Sequence, residues 1–223
     1  MILWLILAFI FAALESLALA KNLKQLEYIA KPAVMVCLFI WFYLNTGLQG
    51  LTLWFGLGIL FSLLGDVLLM ISVDRMFIFG LGAFLLAHVF YIMGFQEQFT
   101  TASAGSLLLI VILTVSGVRV MRRIVGSIRA KGQNRLVMPV IVYSSVITIM
   151  LFAAMTTIFD PAWTTRAAFL TSLGAFLFYA SDIVLAWNKF VTPIKNGRLI
   201  NIALYHLGQI GLIAGIISQF GLQ

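Results

Sequence analysis

Charge is scarce in this chain: 9% of its 223 residues are Asp, Glu, Lys or Arg, whereas 63% are hydrophobic and the mean hydropathy is +1.12. A soluble domain of this length has too little interior to hide so much apolar surface, so a soluble globular protein is excluded. Cysteine is almost absent. The one thiol, Cys37, excludes an internal disulfide framework and a thiolate metal cluster. Period-two alternation is missing as well, and an outer-membrane barrel would need it over segments of about ten residues. No base-stacking or groove-reading pattern is present, so nucleic acid is not an expected partner.

What is present is a series of apolar runs long enough to cross hydrocarbon as helices. They cover residues 1–20, 32–48, 51–72, 77–96, 105–120, 136–158, 166–188 and 199–220. The expectation is an all-α polytopic protein with eight transmembrane helices, a single integral membrane domain over 1–223. The first run has no basic leading region and no small-residue cleavage site, and it contains Glu15, so it reads as a retained helix. Of the 14 Lys and Arg residues, 13 flank odd-numbered loops and only Arg166 lies on the other side. The positive-inside bias then puts both termini outside and the odd loops in the cytoplasm, with a bacterial cytoplasmic (inner) membrane as the expected location.

Polar residues within the runs gather at one depth. At about 1.5 Å of rise per residue, Asp66, Asp182, Tyr143, Tyr205 and His206 all lie roughly 10 Å in from the cytoplasmic end, with Gln209 and His88 roughly 15 Å in. A carboxylate in hydrocarbon costs several kcal/mol, so each Asp needs a reason to be there. Arg198, Asn201, Tyr205 and Gln209 share a stripe of the last run, and His88 and Tyr91 share a face of the fourth. Ser62, one turn before Asp66, is placed to donate to it. Glu15 is expected to snorkel or to pair with Lys21 or Lys24. The two Asp residues have similar surroundings, SLLGDVLLM and FYASDIVLAW, and His88 follows the first by 22 positions as His206 follows the second by 24. A weak 4+4 duplication is suggested, parallel because each half has an even number of spans, with a twofold axis along the membrane normal that brings the carboxylates toward one centre.

At these residues the sequence resembles the YhhN family of multi-pass membrane proteins, which includes the mammalian TMEM86 lysoplasmalogenases. The matching pieces are Lys31-Pro32, LLGDVLLM around Asp66, GLGAFLLAHVFYI around His88 and Tyr91, Tyr143, FLFYASDIVLAWNKF around Asp182, and YHLGQIGLI around Tyr205 and Gln209. The resemblance implies hydrolysis of the vinyl-ether bond of a lysoplasmalogen. Its products would be a fatty aldehyde and glycerophosphoethanolamine or glycerophosphocholine.

That chemistry needs an acid, a base and negative charge. A desolvated carboxylic acid keeps its proton near neutrality, and two facing carboxylates can share one. Asp66 and Asp182 are the candidate catalytic pair, with His88 as relay. Tyr91, Tyr143, Tyr205, His206, Gln209 and Asn201 would position water and substrate, and Lys31 and Arg198 suit its phosphate. No HExxH or close His/Asp pair appears, so neither metal nor other cofactor is implied. The expected partners are the lysophospholipid substrate and membrane lipids; oligomeric state is not indicated. A proton-coupled transporter or a non-catalytic lipid-binding protein is the alternative. Transport would need polar residues continuing to the outer face, and passive binding would leave the two Asp residues apart with no water-accessible pocket between them.

Overall fold

The computed structural model describes residues 1–72, 75–96 and 103–222. Among them every regular element is helical, and eight helices are long and apolar enough to cross a membrane. They are α1 (Ile2–Lys21), α2 (Lys24–Thr46), α3 (Thr52–Ile71), α4 (Phe77–Gly94), α5 (Ala104–Ala130), α6 (Val137–Thr156), α7 (Thr165–Ala186) and α8 (Gly197–Phe220). This is the architecture of an integral membrane protein, where every backbone polar group away from water must be paired within its own helix.

Two helices run well past the apolar stretches that announced them. α2 begins at Lys24, eight residues before the run at 32, and Pro32 lies inside it rather than in its first turn. Proline removes the hydrogen bond to the carbonyl of Tyr28, yet the residues before it stay helical, which puts Glu27 and Lys31 on one face at an (i, i+4) spacing. α5 continues to Ala130, ten residues past its apolar run, because Arg119, Arg122 and Arg123 end the hydrophobic pattern without ending the helix. At 27 residues it is about 40 Å long, more than hydrocarbon thickness requires. α7 ends differently. Its last turn widens into a π-helical segment, Trp187–Val191, which begins five residues beyond Asp182. Such turns recur at functional sites.

The closest helix pairs are α3 with α4 and α7 with α8. Small residues set their separation. At Gly174 in α7 a Cβ would strike the backbone of α8 at Leu212 and Gly208, so only glycine allows this approach. In α3, Gly65 makes room for the ring of Phe84 from α4, which lies edge-on to Tyr205 with centroids 5.8 Å apart. The glycine of LLGDVLLM therefore positions the tyrosine that meets the neighbouring aspartate.

Gly174→Val should lower the thermal unfolding midpoint in detergent markedly, because α7 and α8 must separate. Gly126→Ala, at an exposed position with nothing within 4 Å, should leave the midpoint unchanged or raise it. A Gly174→Val protein as stable as wild type would show that the two helices tolerate a wider spacing.

Candidate functional site

Asp66 is 2% exposed, and three helices contribute to its surroundings. From α8, the Tyr205 hydroxyl donates to its Oδ2 at 2.6 Å, and from α2, Lys31 Nζ lies 3.2 Å from its Oδ1. A buried carboxylate needs both a counter-charge and filled acceptor positions, and this one has both.

Asp182 of α7 is held by a different set. The Tyr143 hydroxyl of α6 donates to its Oδ2, and His88 Nε2 of α4 lies 3.6 Å from the same oxygen and 3.0 Å from the Tyr143 hydroxyl. The phenol has one proton and gives it to the carboxylate, so Nε2 must donate to the phenol oxygen. Protons are thus ordered along one line, His88 to Tyr143 to Asp182. If Asp182 carries the proton instead, both bonds reverse. His88 is fully buried and its Nδ1 has no partner, so the chain ends there.

The two groups are related in a way that shared depth alone does not reveal. Asp66 in the third helix is met from the second and eighth; Asp182 in the seventh is met from the sixth and fourth. Shifting by four helices converts one set into the other, with each half lending its last helix to the carboxylate of the other half. The counterpart of His88 is therefore Tyr205, not His206. Neighbouring residues on a helix point about 100° apart, and His206 faces α1, where its Nε2 lies 2.5 Å from Glu15 Oε2.

Two cavities meet at this site. One, of about 300 Å³, is polar and is lined by Glu27, Lys31, Asp66, Asp182, Arg198 and Tyr205 among others. The second, of about 280 Å³, is apolar and lies among α4, α5, α6 and α7; its wall includes Met121, Ile147 and Leu185 together with Tyr143. Exposed Thr114, Ser145 and Ile149 also line it, so it reaches the lateral surface of the bundle. Asp182 belongs to both cavities, as do Leu69, Phe77, Phe84 and Leu185.

Some expected site residues lie elsewhere. Tyr91, His206 and Gln209 line neither cavity and are enclosed. Tyr91 donates to Gln209 Oε1 at 2.8 Å, and Gln209 Nε2 donates to Ser62 at 2.9 Å, which ties α4, α8 and α3 together. Ser62 thus accepts from Gln209 rather than donating to Asp66. Glu15 does not snorkel: it is fully buried and meets His206, while Lys21 and Lys24 stay exposed. Lys31 does line the polar cavity, but it is committed to Asp66. Arg198 stands at the rim, paired with Glu27 at 2.6 Å, and Asn201 anchors α8 by donating to the Ser181 carbonyl at 2.8 Å. Neither carboxylate of the expected pair touches the other; both face the polar cavity, each with its own partners. Glu27, Ser181, Asn188 and Lys189 also line that cavity. Only Glu27 had a legible signal, its four-residue spacing from Lys31.

These features define a class: a multi-pass helical membrane protein with charged groups enclosed between its helices, where a polar and an apolar cavity join. The chain belongs to the YhhN family, whose model matches residues 26–216. It is 29% identical to lysoplasmalogenase TMEM86B of Mus musculus over 147 residues, 66% of this chain and 57% of that protein. It is 29% identical to the Sus scrofa protein of the same name over 143 residues, and 27% identical to the Homo sapiens one over 134. These matches cover 64% and 60% of this chain and 54% and 51% of the relatives, so the chain spans about half the length of the curated relatives it matches. No solved structure matches it. The family match begins within α2, so α1 and Glu15 precede it.

Breaking a buried pair by removing one partner costs about 3–5 kcal/mol, whereas replacing both with apolar residues is often neutral. Glu15→Leu or His206→Leu alone should therefore lower the unfolding midpoint, and the double substitution should restore most of the loss. Additive losses in that double-mutant cycle would mean that the two side chains do not act as a pair.

Proposed function

We propose that this chain is an intramembrane hydrolase that cleaves the vinyl-ether bond of a lysoplasmalogen. The observation that carries this reading is the meeting of a polar and an apolar cavity at Asp182. A single-chain ether lipid has the same division, with the scissile bond between hydrocarbon and glycerol. Its chain would enter the apolar cavity from the lateral surface, and its head would occupy the polar one. The name lysoplasmalogenase on the relatives supports the assignment.

The reaction begins with proton transfer to the carbon one removed from the ether carbon, which leaves an oxocarbenium ion. Water then adds to the ether carbon and loses a proton, and the hemiacetal breaks to release aldehyde and the glycerol hydroxyl. Asp182 would deliver the first proton, since among the described residues it is the ionisable side chain that borders both cavities, and the His88–Tyr143 line orients its carboxyl group. Asp66, with Lys31 as counter-ion, would supply the negative charge that faces the cation and would accept the proton of the attacking water. Tyr205 fixes the orientation of that carboxylate. Asn201 and Ser181 offer polar groups to the glycerol portion.

Incubation of purified protein with a lysoplasmalogen should release aldehyde, with no cleavage of a saturated ether analogue. Losing a general acid or base lowers rates by about 10²–10⁴, so Asp182→Asn and Asp66→Asn should fall in that range. Tyr143→Phe should lose less, about tenfold, because His88 remains near Asp182. Near-normal aldehyde release by folded Asp182→Asn protein would remove the acid assignment. Cleavage of an ester lysophospholipid but not of the vinyl ether would overturn the substrate class.

A further inference from the structure

At the rim of the polar cavity stands the ion pair of Arg198 from α8 with Glu27 from α2. This pair and the Lys31–Asp66 pair differ in how readily they open. The Arg198 side chain is 71% exposed and that of Glu27 16%. An ion pair this open to solvent contributes little to stability, and its arginine is free to swing aside. The Lys31–Asp66 pair is enclosed, at 11% and 3%, and breaking it would leave a buried carboxylate without counter-charge. Of these two cations, Arg198 rather than Lys31 is the one available to an incoming ligand.

The balance of charge identifies that ligand further. Among the described residues the cavity is lined by three acidic side chains, Glu27, Asp66 and Asp182, and three basic ones, Lys31, Lys189 and Arg198. An anion that took Arg198 would strand Glu27 beside two other carboxylates. A ligand with one negative and one positive group matches both Arg198 and Glu27, because each end replaces one half of the pair it displaces.

We propose that Arg198 and Glu27 form a head-group subsite for a zwitterionic phosphoester bearing a cationic amine. The guanidinium takes the phosphate through paired N–H donors, and the freed Glu27 carboxylate takes the ammonium. The subsite rests on the lysophospholipid reading above, but it concerns recognition rather than cleavage.

The test uses the full chain in nanodiscs and three saturated ether lysolipids that cannot be cleaved, with phosphocholine, phosphoethanolamine and phosphoglycerol heads, and reads binding by titration calorimetry. Wild type should bind the two zwitterions about tenfold more tightly than phosphoglycerol, a difference of about 1.4 kcal/mol. Glu27→Gln should abolish that preference, Glu27→Lys should reverse it, and Arg198→Gln should weaken all three lipids. Equal binding of the three heads by wild type, or an unchanged preference in Glu27→Gln, would overturn the subsite. Free glycerophosphocholine should bind far more weakly, and equal affinity would overturn the assignment to a lipid. Intact head-group preference without vinyl-ether cleavage would sink the hydrolase reading and leave the subsite standing; cleavage without preference would do the reverse.

Discussion

The structure depends on how two carboxylates are accommodated away from water. Asp66 and Asp182 each carry a cost that no single helix can offset, because neither has a basic side chain within a turn of it on its own helix. The cost is met by partners from other helices: Lys31 and Tyr205 for one, Tyr143 and His88 for the other. Six of the eight helices are thereby tied to one region of the bundle, and the exchange of terminal helices between halves prevents either half from satisfying its aspartate alone. A polar requirement thus specifies the arrangement of a bundle whose apolar packing is non-directional.

Close packing makes those reaches short enough. Glycine at 174 brings α7 onto α8, and glycine at 65 admits Phe84, which holds the ring of Tyr205. The Tyr91–Gln209–Ser62 chain then braces the same three helices deeper in the interior. α5 contrasts with these elements. It is largely exposed and leaves an apolar cavity against α6 and α7, so the tightly braced part of the molecule borders a region with room for a hydrocarbon chain. α5 lines that space while contributing none of the partners named above for either carboxylate.

Residue depth placed Asp66, Asp182, His88, Tyr143 and Tyr205 in one polar layer, because rise per residue is fixed and hydrocarbon thickness bounds each span. It could not separate the residues that line a cavity from those that seal the helices together. Tyr91 and Gln209 lie in the same layer, yet they satisfy one another. His206 differs from Tyr205 by one position and faces a different helix, where Glu15 meets it. The start of α2 was missed for a related reason: an apolar run reports where the chain is in hydrocarbon, and Glu27 and Lys31 belong to turns that lie outside that definition while remaining helical.

The sequence by itself determined that the chain crosses a membrane as eight helices, which of its residues are too polar to face lipid, and to which family it belongs. These follow from composition, run length and local motifs, all of which are properties of the chain read in order. Tertiary structure alone decided the pairing: that Lys31 and Tyr205 serve Asp66, that His88 and Tyr143 serve Asp182, and that the two carboxylates share a cavity without sharing a contact. The physical reason is that the rotation of each helix about its axis is set by packing against its neighbours, and a change of about 100° moves a side chain from cavity to seam without altering its depth.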